Sequence, residues 1–255
     1  MTPNSEAHKF LTRLKKHLNA NLPPPERIRN EIAAIVATAK SADRQSTGRH
    51  STFAEGAFLN TYVIGQIHKF LICERLTAEE SRHALLSESY RGQRDFASAS
   101  PVRPRPHPFR KLVGVSPRQI FDVWRGKPVA KRLVRNSCPD LALRSPARFR
   151  TVFEAKYCSN INAKRAEEEL VRNIYQAFFY LALPHVEETK THAAWDYDFA
   201  CVMAYDATPD GVLLNAWESL PTKVRSACWT GANVYVMILR GTCDSASEII
   251  VPKGS

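Results

Sequence analysis

The chain has 255 residues, of which 44% are hydrophobic and 24% charged, enough to build a substantial core in one large or two small domains and too apolar for a disordered chain. No run of about 18 apolar residues is present, which excludes a transmembrane helix, and the opening residues carry Lys9, Arg13, Lys15 and Lys16 without the apolar stretch of a secretory signal, so a cytoplasmic protein is expected. The net charge of +11 sits in one place: residues 101–150 hold 13 Lys or Arg against two acids, Asp122 and Asp140, while the rest of the chain holds 23 of each sign.

Such a concentrated positive field favours a polyanionic partner, most often nucleic acid. The six cysteines, Cys73, Cys138, Cys158, Cys201, Cys228 and Cys243, never reach the C-x-x-C spacing of a zinc ribbon or redox pair and read as free thiols.

In chain order, two helices are expected over 6–18 and 26–39, separated by Leu22-Pro23-Pro24-Pro25, with Ile28, Ile32, Ile35 and Val36 on the packing face of the second. Residues 40–51 read as a loop, 52–73 as a third helix with Phe58, Tyr62, Ile67, Phe70 and Leu71 apolar, and 78–87 as a fourth. Four prolines within eight residues, Pro101, Pro104, Pro106 and Pro108 among Arg103, Arg105 and His107, break helix and predict an extended basic arm over 101–111. Strands follow at 139–144 and 149–158 around a turn at 145–148, then a helix over 162–183, strands at 198–205 and 233–239, and a helix near 213–220 between them. The order implies an α/β fold with a mixed central sheet flanked by helices. The division expected is an N-terminal helical extension over 1–50 and one domain over 51–255.

The chemistry is carried by Cys138-Pro139-Asp140 and Glu154-Ala155-Lys156. Residues 140 and 154 are equidistant from 147, so a hairpin closed there sets Asp140 opposite Glu154, about 5 Å apart at Cβ, and Lys156 shares their face. Two carboxylates so close call for a cation, and their hard oxygens suit Mg²⁺ or Mn²⁺. With Lys156 to orient a water or stabilise charge on phosphate, the set describes a phosphodiester hydrolase. Arg103, Arg105, Arg110 and Lys111 are candidates to track phosphates. The plainer alternative is a turn aspartate beside a Glu154–Lys156 cross-strand ion pair on a solvated face.

These residues resemble the PD-(D/E)XK nuclease superfamily, the restriction-endonuclease-like fold, in which an Asp and an E-x-K lie on adjacent strands of a mixed sheet. The resemblance implies Asp140 and Glu154 as metal ligands, the Ala155 carbonyl as a further ligand and Lys156 as the catalytic lysine. It implies a glutamate on the preceding helix, for which Glu55 stands, although Thr52-x-x-Glu55 also fits a helix capping box. On the helix after the strands, Glu169, Asn173, Gln176 and Tyr180 form one polar stripe, and Gln176-x-x-x-Tyr180 is similar to the motif of the RecB-like branch, with the glutamine facing the active site and the tyrosine facing DNA; a core position suits Tyr180 equally.

A metal-dependent deoxyribonuclease of restriction, defence or repair type is therefore expected. The alternatives are a catalytically inactive nucleic-acid-binding module of the same fold and an enzyme acting on a small phosphorylated compound. Many enzymes of the resembled family cut as homodimers. A second E-x-K, Glu188-Thr189-Lys190, lacks an upstream Pro-Asp, and no H-E-x-x-H or G-x-x-x-x-G-K-[ST] is present, which argues against a zinc hydrolase and a nucleotide motor.

Overall fold

In the computed structural model, which describes residues 5–42, 50–87, 140–143, 146–181, 185–186, 193–194, 198–208 and 210–239, helices cover both faces of a mixed five-stranded sheet. The chain opens with α1 (Ser5–Asn21) and α2 (Pro25–Ala42), the latter beginning on a proline whose fixed φ suits a first helical turn. α1 buries Ala7, Phe10, Leu11, Leu14 and Leu18, and α2 buries Ile28 and Ile32, with Val36 half-buried. Ile35, expected on the same face, is 41% exposed because it falls at the rim of the stripe drawn by the i, i+4 series 28, 32, 36. α1 and α2 share one apolar cluster with the sheet.

The expected third helix is α3 (His50–Phe58) and α4 (Ile64–Cys73) joined by a π-helical turn over Leu59–Val63. Helix also extends into the expected 40–51 loop from both ends, to Ala42 and from His50. α5 (Ala78–Ala84) starts from a reciprocal capping box, in which Thr77 accepts from the Glu80 N–H and the Glu80 side chain accepts from the Thr77 N–H. The expected fourth helix stops early: Leu85 turns extended, and β1 (Leu85–Ser87) pairs with β2 (Leu141–Leu143). Cross-strand pairing outweighs a helical preference carried by only three residues.

β2 pairs antiparallel with β3 (Thr151–Cys158) in the register Leu141↔Phe153, Ala142↔Val152, Leu143↔Thr151, which is centred on residue 147 as expected. α6 (Ala163–Leu181) carries the chain to the short pair β4 (His185–Val186) and β5 (Ala193–Ala194), then to β6 (Phe199–Asp206), parallel to β3. α7 (Val212–Ser219) and α8 (Thr222–Ala232) lead to β7 (Val234–Leu239), parallel to β6, so the sheet order is β1-β2-β3-β6-β7.

Alternation along the strands divides the core. Phe153, Ala155 and Tyr157 of β3 with Phe199, Cys201, Met203 and Tyr205 of β6 face α1 to α4. Val152 and Cys158 of β3 with Ala200, Val202 and Ala204 of β6 face α6 and α7, where Leu170, Ile174, Ala177, Phe178, Leu213 and Trp217 are buried. Asp206 ends β6 by capping α7: it accepts from the N–H groups of Thr208 and Leu213, and the Thr208 hydroxyl accepts from Val212 N. Gly211, at φ 64°, supplies the left-handed residue that starts the helix. Cys158, Cys201 and Cys228 are free and buried, whereas Cys73 is exposed. Among the described residues no helix is long and apolar enough to cross a membrane.

Candidate active site

β3 lies inside the sheet, between β2 and β6, where apolar residues on both faces are the rule. Its α6-facing positions instead read Val152, Glu154, Lys156, Cys158. Glu154 is only 2% exposed, which overturns the solvated-ion-pair alternative. A charge so enclosed must be compensated. Lys156 supplies compensation: its Nζ is 2.8 Å from Glu154 Oε1.

The same ammonium reaches Glu55 of α3, at 3.1 Å from Oε2 and 3.2 Å from Oε1. β2 pairs β3 only as far as Phe153, so Lys156 sits where β3 has outrun its neighbour, and α3 reaches it there. Glu55 is therefore not a capping residue. The helix begins at His50, two residues before Thr52, and the carboxylate is spent on Lys156.

Asp140 stands one residue before β2, and continuing the register sets it opposite Glu154. Its Oδ2 accepts from the Ala155 N–H at 2.8 Å, fixing the carboxylate against the strand that carries Glu154 and Lys156. A strand residue directs its N–H and C=O to the same edge, so the Ala155 carbonyl also points toward Asp140.

The electrostatics follow from three carboxyls and one ammonium in a buried space. Burial, then the fields of Glu154 and Glu55, push the Asp140 carboxyl well above its ordinary value, against the opposing pull of Lys156 and the Ala155 N–H. Burial raises Glu55 to about 7, with Lys156 opposing and Glu154 reinforcing the shift. Burial works against the charge of Lys156, but Glu154, Glu55 and Asp140 together outweigh it and raise the ammonium above its usual range. With all three carboxylates ionised, the cluster carries an uncompensated charge of about −2, which protons relieve in the metal-free chain.

The donor chemistry suits a hard divalent cation: Asp140, Glu154, Glu55 and the Ala155 carbonyl offer oxygen alone, and the excess charge is of the size such an ion cancels. The carboxylates close on the Lys156 ammonium, however, and among the described residues no group of three His, Cys, Asp or Glu stands in a metal-holding arrangement.

Gln176 is half-buried on α6, on the stripe with Glu169 and Asn173. The side chain of Tyr180, the arm residues Arg103, Arg105, Arg110 and Lys111, and Glu188-Thr189-Lys190 lie outside what the structure describes. Two further groups border the cluster. The field of Arg172 lowers the Glu55 carboxyl, and the Cys158 thiol is pushed up to about 12 by burial first, then by Asp206, Glu169 and Glu55. Arg172 could have been found from the sequence as the basic residue beside the polar stripe of α6. No protein-family model, curated protein or solved structure matches the chain.

Proposed function

We propose that the chain is a metal-dependent nuclease that hydrolyses phosphodiester bonds of DNA, built on a restriction-endonuclease-like core of the PD-(D/E)XK kind. The observation that carries this reading is the gathering of Asp140, Glu55 and the buried Glu154 around Lys156, three carboxyls and one ammonium, where the inner strand β3 would ordinarily be apolar. The helix, antiparallel strands, helix and parallel strand from α3 to β6 support it, with Asp140 one residue before β2 and the E-x-K on the adjacent β3.

Asp140, Glu154, the Ala155 carbonyl and Glu55 would hold Mg²⁺, or Mn²⁺ in its place. The ion would supply Lewis acidity toward the phosphoryl oxygen and a lowered pKa for a bound water. Lys156, kept charged by its neighbours, serves as an electrostatic group that steadies the attacking water and the developing phosphorane charge; an ammonium so stabilised is a poor general base. Asp140, locked by the Ala155 N–H, orients rather than moves. The basic stretch from 101 to 150, which contains Asp140 and runs up to β3, would neutralise flanking phosphates.

The test is cleavage of duplex, single-stranded and branched DNA and of RNA with Mg²⁺ or EDTA, using Asp140→Asn as the variant. Asparagine can still accept from the Ala155 N–H and never carries the charge that burial disfavours there, so the metal-free variant should melt at or above the wild-type temperature while cleavage falls about 10²- to 10⁴-fold. Metal-dependent cleavage that survives this substitution would rule the site out. Salt-sensitive binding without cleavage by the wild type, even with Mn²⁺, would instead identify a binding module.

A further inference from the structure

The polar stripe of α6 contains a side chain that neither the fold nor the proposed mechanism uses. Asn173 is 2% exposed, and its Oδ1 is buried without a hydrogen-bond partner among the described residues. Buried carboxamides are almost always paired, so an unpaired one signals either a strained position or a missing partner. Leu170, Ile174 and Ala177 beside it are well packed, so the surrounding helix is an ordinary core helix with one polar group turned inward.

α6 returns over β3 after the turn at Ser159–Asn162, packing Leu170 and Ile174 against the face that holds Val152 and Cys158. Asn173, buried on the same side of the helix, is turned toward that face, which by strand alternation is also the face of Glu154 and Lys156.

An unpaired carbonyl oxygen needs a donor. Phosphate oxygens and ionised carboxylates, the forms present in a metal-loaded site, only accept; water does both, and so satisfies the amide in either of its flipped orientations. We infer that Asn173 holds the attacking water of this site, fixing its orientation between the carboxamide and Lys156. The inference rests on the nuclease reading and adds to it a group outside the Asp, E-x-K and Gln set.

The experiment compares Asn173→Leu and Asn173→Ser with the wild type. Because no described residue pairs with the carboxamide oxygen, N173L should leave the melting temperature of the metal-free protein unchanged or raise it by about 2–6 °C. Its kcat on DNA should fall about 10- to 100-fold while KM stays within about 2-fold, since a misplaced water slows chemistry without weakening phosphate contacts. N173S, which keeps a small acceptor and room for a second water, should recover part of the loss. A lowered melting temperature in N173L would mean that the amide is a structural group, and an unchanged kcat would mean that it holds nothing reactive; either overturns the inference while the nuclease reading stands. If the wild type cleaves no nucleic acid under any metal, the nuclease reading fails and takes the inference with it.

Discussion

Glu55 meets Lys156 beyond the end of β2, and its carboxyl is held near neutrality by burial and by Glu154. The folded value of about 7 lies above the ordinary 4.5, so folding carries a penalty that is absent below about pH 4.5 and grows as pH rises through 7. Asp140 is shifted in the same direction, and Lys156, raised, keeps its contribution throughout this window. The metal-free protein should therefore lose stability between about pH 5 and about pH 8, and Glu55→Gln should reduce the difference. Urea midpoints at the two pH values read this; a pH dependence as steep in E55Q as in the wild type would show that Glu55 is not the titrating group. At this scale the sequence was legible where spacing determines position. Asp140 and Glu154 could be set face to face because a hairpin has a centre. The placement of the Lys156 ammonium between two carboxylates could not, since it depends on how far α3 reaches across the end of β2.

Among the elements, one four-residue pattern has two fates. Thr52-x-x-Glu55 and Thr77-x-x-Glu80 read alike, but only the second caps a helix, because helix α3 has already begun at His50 and Glu55 has a stronger partner in Lys156. Capping motifs are local statements, and a buried cation overrides them. The π-turn at Leu59–Val63 and the strand Leu85–Ser87 escaped the sequence for a related reason: both are short, and both are imposed by packing rather than by periodicity. The Asp206 cap is local by contrast, a strand-end residue serving the N–H groups of Thr208 and Leu213, two and seven residues on. Asp206→Ala would leave those buried donors unpaired and should cost about 1–3 kcal/mol in urea unfolding, with no change in the pH dependence assigned to Glu55. A loss of under about 0.3 kcal/mol would mean that the α7 terminus finds other partners.

Over the whole molecule, the α/β class and the flanking helices were readable because β6 and β7 are continuous apolar runs and α6 is periodic, whereas the union of α1 and α2 with the sheet in one core required their partners to be seen. The charge distribution belongs to this scale as well. Ser87 pairs with Leu141, so the chain leaves β1 and re-enters β2 one strand spacing apart, next to Asp140. An excursion whose two ends are neighbours can be excised without severing the scaffold. Replacing residues 89–137 with a short glycine-containing hairpin turn should give a chain that still melts cooperatively and, if the metal reading holds, still gains thermal stability from Mg²⁺, while its salt-dependent affinity for DNA drops sharply. A shortened chain that fails to fold, or one that binds DNA with the original salt slope, would contradict this. On the proposed reading, this topology would let substrate choice be exchanged between β1 and β2 without rebuilding the cluster around Lys156.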